Sequence, residues 1–369
     1  MEQKDYTRRS FFILLLFAVV LFGALGKILS SVILPVVVSL LFSFVLYPPI
    51  KKLHEKIRFP WILGVFLMLV AVLVVFALLA TFVGNSVTAF LSQYSRYERK
   101  LLSLYKLLAD TFSFQFDAEK NFLQNMWGQL KVREVLQTLA FSLSGDVITF
   151  GKALALTLVF MFFLLLELRF AGEKVDAMFQ GSIQGRVKGI VKKTISDTAR
   201  FLSIKFVISL ATGFLVFLMC VFLRLDFAPM WAFLAFVLNF IPTFGSIFSV
   251  IMMTIFSVLQ FYPAPARTVF VLIFTTLVNF ILGNIVEPKV EGKNLGLSPF
   301  VILVSLTFWG WMWGLVGMII AVPLMVIIKI TCENVSFLHP VAVFLGNRPT
   351  FSEKKSGEKT EVAKVKKTP

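Results

Sequence analysis

The chain is written in long apolar runs, and their length is what most limits its fold. Roughly Phe11 to Leu29, Val32 to Tyr47, Trp61 to Val83, Val147 to Leu168, Phe206 to Leu223, Ala228 to Leu259, Thr268 to Leu282 and Phe300 to Ile330 are strongly apolar. A bilayer core is about 30 Å thick, and about 20 apolar helical residues cross it. Inside hydrocarbon each backbone N–H and C=O must be bonded within the protein, so runs of this kind become helices. The expected fold is all-α: a polytopic integral membrane protein of about eight transmembrane helices, with broken or re-entrant segments near Pro242 and Pro288. The runs 228–259 and 300–330 are long enough for a single tilted helix or for a re-entrant hairpin.

Composition agrees with this class. Hydrophobic residues make up 58% of the 369 residues and charged ones 15%, against about 45–50% and 25% in soluble domains. The net charge of +16 is read as cytoplasmic-side bias of Lys and Arg, not as a nucleic-acid surface. Lys4, Arg8 and Arg9, then Lys51, Lys52, Lys56 and Arg58, then eight basic residues between Arg169 and Lys205, then the lysines after Lys354 all fall on one side if there are eight spans. Both termini are therefore expected in the cytoplasm. The N-terminal run is too long for a secretory leader and is read as a retained first span.

The organisation expected along the chain is helices one to three over 1–83, then an external amphipathic helical region over 84–145. In that region Val87, Leu91, Tyr94, Tyr97, Leu101, Tyr105 and Leu108 share a helical face, with a second helix over about 121–143. Helix four follows over 146–170. A cytoplasmic basic amphipathic segment, 171–205, carries Val187, Ile190, Val191, Ile195 and Leu202 as its apolar stripe, the pattern of a helix lying on an anionic inner leaflet. Helices five to eight fill 206–330. The tail, 331–369, is basic and in part expected to be disordered.

Several chemistries have no carrier. Two cysteines, Cys220 and Cys332, and two distant histidines, His54 and His339, give no metal-ligand spacing. There is no phosphate-binding loop and no nucleophile or zinc motif, so no enzyme, cofactor or metal is expected. Polar groups in apolar surroundings cluster in two places. One is FVLNFIPTFGS, where Pro242 and Gly245 break the helix beside Asn239, Thr243 and Ser246. The other is GNIVEPKVEGKNLGLSP, preceded by Asn279 and containing Asn284, Glu287, Pro288 and Gly292. Glu287-Pro288 is expected to end its helix, with Glu287 and Lys289 pairing locally. Broken helices are where transporters bind solutes, so Asn239, Pro242, Thr243, Gly245, Ser246, Asn279, Asn284, Glu287, Pro288 and Gly292 form the candidate substrate pathway.

Those two stretches, with the following FVILVSLTFWGWMWGLVGMIIAVPL, strongly resemble the autoinducer-2 exporter family of PerM-like and TqsA-like permeases. The motif residues match at Pro242 and Gly245, at Asn284, Pro288 and Gly292, and at Gly314, Gly317 and Pro323. Thr243 stands where an asparagine is common, and Gly283 where many members carry an aspartate. The resemblance implies a bacterial inner-membrane protein, homo-oligomeric, that moves a small-molecule solute, with autoinducer-2 as the leading cargo. Sodium or lithium exchange for protons is the alternative it carries, with Glu287 as the titrating group. A non-transporting membrane scaffold is a third reading.

Overall fold

The structure is a computed structural model. It describes residues 17, 20–112, 132–291, 296–335 and 338–346. Among these the secondary structure is helical, joined by short turns and a single bridge, Leu297 to Gly346. Among the described residues, seven helical stretches are long and apolar enough to cross a membrane. The protein is thus a polytopic all-α membrane protein.

The helices are α1 Ser30–Ile57, α2 Trp61–Phe112, α3 Val132–Leu168, α4 Ala171–Met178, α5 Gly181–Leu223, α6 Ala228–Leu238, α7 Phe244–Phe261, α8 Pro265–Phe280, α9 Glu287–Glu291, α10 Pro299–Asn334 and α11 His339–Leu345. Residues 20–28 are helical too and bend into α1 at Leu29. Proline opens α8 and α10, where its fixed φ suits the first turn and its missing N–H costs nothing. Arg58 and Arg224 end α1 and α5 in the left-handed conformation, and the Arg224 N–H closes the last turn of α5 on Cys220 and Val221.

Three helices are longer than a bilayer requires. At ~1.5 Å per residue, α2 is roughly 78 Å long, α5 roughly 65 Å and α3 roughly 56 Å. No break separates the third apolar run from the start of the region at Gly84, and none separates the basic segment from the apolar run at Phe206. The period-3.6 pattern expected on either side of these points is carried by one helix in each case. Of the stripe expected beyond Val87, only the side chain of Tyr97 is described, and it is buried. Residues 113–131, which hold part of the second expected helix, and the tail beyond 346 lie outside the described residues.

The runs 228–259 and 300–330 are both re-entrant hairpins. In the first, α6 descends and α7 returns. Their outer ends are tied together: the Asp226 N–H donates to Gln260 Oε1 at 2.8 Å, and Gln260 Nε2 donates to the Arg224 carbonyl at 2.8 Å. Trp231 and Phe256 pack against each other between the limbs, with tilted rings 5.1 Å apart. In the second, α10 turns back on itself at Trp313 and Gly314, whose dihedrals (φ 61°, ψ −142° at Gly314) only glycine adopts readily. Its limbs touch where Ser305 Oγ donates to the Ala321 carbonyl, and Val301, Val322 and Val326 share one apolar cluster.

The hairpins enter from opposite ends of the bundle. The first hangs from the end marked by Asp226 and Gln260, the second from the end where Leu297 bridges Gly346. Their tips meet in the interior. Leu238 and Ile241 of the first pack on Leu306, Trp309 and Met312 of the second, with Leu41 of α1 alongside. Small polar residues line the close helix crossings: Ser39 and Ser43 on α1 and Ser209 and Thr212 on α5 are fully buried, as expected where membrane helices must approach closely.

Candidate functional site

The first hairpin turns over Asn239–Thr243. Pro242 has no N–H to give the ladder, and the helix stops before it. The Phe244 N–H bonds back to the Pro242 carbonyl at 2.7 Å, two residues away, which closes a γ-turn centred on Thr243. Thr243 has φ 64° and ψ −59°. This positive-φ γ-turn is rare and strained, and for a β-branched residue it is an outlier. Gly245 then lets the limbs touch: a Cβ there would lie 1.7 Å from the Leu238 carbonyl oxygen. The second hairpin has the same device, since a Cβ on Gly317 would lie 2.0 Å from the Trp309 carbonyl.

The tip is pinned to α5. Asn239 is buried, and its Nδ2 donates to Ser209 Oγ at 3.0 Å. Facing the tip is the α8–α9 region. The helix expected to end at Glu287-Pro288 instead continues to Glu291, and the irregularity moves upstream. Ile281–Val286 is a π-helical turn, with the Glu287 N–H bonded five residues back to Leu282. The Pro288 ring would strike the carbonyl four residues earlier, and the widened turn accommodates it without a break.

Between tip and π turn lies a cavity of about 450 Å³. Of the candidate residues, Asn239, Pro242, Thr243, Ser246, Asn279, Asn284 and Glu287 line it, joined by Thr276 and Gly283. Gly245 does not line it and acts in the close approach of the two limbs. Pro288 lies next to it in α9, and Gly292 is outside the described residues. Asn279 Nδ2 bonds its own helix at the Thr275 carbonyl, 2.9 Å away, which leaves its carbonyl oxygen available to the cavity.

Of the lining residues absent from the sequence expectation, the one that carries charge is Lys205. Lys205 on α5 reaches Glu287 with Nζ at 2.7 and 2.9 Å from the two carboxylate oxygens. The side chains are 7% and 16% exposed. The local pair expected between Glu287 and Lys289 is replaced by this long-range one. A helix places residues two apart on different faces, so Lys289 points away from Glu287. The signal available in sequence was position: Lys205 is the last basic residue before the apolar run opening at Phe206. Among the described lining residues Glu287 is the single acid and Lys205 the single base, so the cavity wall is electrically balanced and otherwise made of amides, hydroxyls, aliphatic groups and the Phe280 ring.

A family model described as the AI-2E family transporter matches residues 11–337. The chain belongs to that family. It is 33% identical over 351 residues to a Borreliella burgdorferi protein named as a transport protein, covering 95% of this chain and 94% of the relative. It is 27% identical over 319 residues to the AI-2 transport protein TqsA of Escherichia coli, with 86% and 90% covered. A more distant relative, 22% identical over 341 residues with 87% and 94% covered, is the sodium-lithium/proton antiporter of Halobacillus andaensis.

Proposed function

We propose that this AI-2E family transporter is a permease that exports a small polar solute, with the quorum signal autoinducer-2 as the leading candidate. The observation that carries the reading is the cavity at the hairpin tip. It is built where backbone regularity is lost, its charges cancel, and its remaining polar groups are those of Asn239, Thr243, Ser246, Thr276, Asn279 and Asn284. Such a wall offers hydrogen bonds without selecting for net charge, which suits a small hydroxylated molecule. TqsA supports autoinducer-2 through its own name and through similarity alone. In this reading the chain sits in the bacterial inner membrane with both termini in the cytoplasm. The basic end of α5 then meets the anionic leaflet. A homo-oligomer is the proposed assembly; the spanning windows of α2 and α3 are each only 11% buried and leave wide apolar faces.

One observation favours a second reading, sodium (lithium)/proton antiport: Glu287 is a cavity-lining carboxylate held by a cation, and release of Lys205 would free it for a proton or sodium ion. The test is purified protein in liposomes loaded with autoinducer-2, small polyols and sodium, comparing wild type, Asn239→Ala and Glu287→Gln. Export lost in Asn239→Ala, with the protein still inserted, supports the permease. Sodium–proton exchange abolished only in Glu287→Gln replaces it by the antiporter. No flux of any solute rejects both and leaves a membrane scaffold.

A further inference from the structure

A second cavity, about 730 Å³, lies between the ends of α1 and α3, helix α4 and the basic stretch of α5. Its floor is apolar: Val45, Leu46, Leu168, Val175, Val191 and Ile195. Its rim is basic, with Lys51, Lys188, Lys192 and Arg200, and no acidic side chain lines it among the described residues. Two of the cations are already engaged. Lys51 pairs with Glu55 at 3.7 Å, and Lys188 with Asp176 at 2.8 Å, an ion pair that straps α4 over the cavity. Lys192 and Arg200 form no ion pair among the described residues. They stand two helical turns apart on α5, on the side facing the cavity.

The location matters as much as the charge. Val45, Leu46 and Leu168 of the floor close the apolar runs of α1 and α3, and the rim is made by Lys51 just beyond the first of these runs and by the basic stretch of α5. The cavity therefore sits where spans give way to charged segments, the level of lipid headgroups. A charged rim over a greasy floor complements a molecule that is anionic at one end and aliphatic at the other. The volume falls within the range of about 300–1,000 Å³ typical of small-molecule sites. That accommodates a phosphate headgroup and the first part of its chains, with the remainder lying along the bundle.

We infer that this cavity holds one anionic phospholipid, with Lys192 and Arg200 on its phosphate, Ser196 and Ser203 beside them, and the apolar floor under its acyl chains. This goes beyond general attraction to an anionic leaflet, because it assigns one bound molecule to one defined place.

Native mass spectrometry of the full chain in mild detergent tests it. The lipid probes are phosphatidylglycerol and phosphatidylcholine with identical chains, and glycerol phosphate supplies the headgroup without chains. Wild type is expected to retain one phosphatidylglycerol per chain and neither of the other two. Each cation removed is expected to weaken retention roughly five-fold, so Lys192→Ala/Arg200→Ala loses about 25-fold. Val191→Trp, which puts a bulky ring into the apolar floor and keeps every charge, is expected to weaken retention. Lys366→Ala/Lys367→Ala removes the same charge from the tail and is expected to change nothing. Equal loss in the tail variant, undiminished binding in Val191→Trp, or retention of glycerol phosphate as strong as that of the lipid would each overturn the assignment.

Discussion

Replacing Glu287 by glutamine strands the Lys205 ammonium. The two side chains are 7% and 16% exposed, and Nζ lies 2.7 and 2.9 Å from the carboxylate oxygens. At a charge separation of about 3 Å and an effective dielectric of about 20, their attraction is ~5–6 kcal/mol. Desolvating both ions costs several kcal/mol each and offsets most of it. The pair as a whole therefore contributes little, while either half alone is expensive. Glu287→Gln and Lys205→Met are each expected to destabilise by about 3–5 kcal/mol. The double variant is expected to lose far less than their sum, with a coupling of at least ~3 kcal/mol. The assay is a double-mutant cycle on reversible unfolding in mixed micelles, followed by tryptophan fluorescence. Trp231, Trp309 and Trp313 lie in the packed interior and report it. If the double variant's loss equals the sum of the singles within about 0.5 kcal/mol, the two charges do not depend on each other and the reasoning fails.

Two further outcomes follow from the hairpins and their anchorage. Gly245→Ala drives a methyl to 1.7 Å from the Leu238 oxygen, so the limbs must separate; the expected loss is at or above the upper end of the ~1–3 kcal/mol usual for overpacking, read by the same unfolding assay, and an unchanged midpoint refutes it. At the other end of that hairpin, the Tyr97 hydroxyl donates to Asp226 and Lys100 donates to the Gln260 carbonyl. Burial first, then the Asp226 hydrogen bond and charge, push the Tyr97 hydroxyl well above its usual range. A raised folded-state value means that this stability is fully present below pH ~10 and fades as pH rises through the folded-state value. Tyr97→Phe is expected to cost ~1.5–3 kcal/mol, constant between about pH 6 and 9 and shrinking above 10; a cost that varies across pH 6 to 9 contradicts this.

Much of the architecture was legible in the chain because bilayer crossing is a length constraint, and apolar length can be counted directly. The irregular places were legible for a related reason. Asn239 to Ser246 and Asn279 to Pro288 are conspicuous as polar or helix-breaking residues among aliphatic ones, and the fold brings both stretches to one cavity. What stayed hidden was direction. A run such as 300–330 has the same periodicity whether the helix continues or folds back at Gly314, since both arrangements are apolar on every side. The reversal depends on contacts across the turn, Gly317 against Trp309 and Ser305 against Ala321, and no local pattern encodes them. Lys205 was hidden likewise: its partner is 82 positions away, while Lys289 was near in sequence and on the wrong face. The π turn was misplaced as a break at Pro288 because a proline can be accommodated by widening the turn before it as well as by ending the helix.

The two opposed hairpins have a mechanical consequence. A helix that crosses a membrane is tethered on both sides, and moving it drags connections at each. A hairpin is tethered on one side only. To withdraw, the first needs to give up only interior contacts such as Asn239 on Ser209, and the second those such as Trp313 on the Gly26 carbonyl. If each retreats toward its own side, neither base pulls on the other, as with two doors that share no hinge. Doors of that kind leak unless something keeps them from standing open together. The surface where Leu238 and Ile241 press on Leu306 and Trp309 is the one place where each tip registers the position of the other.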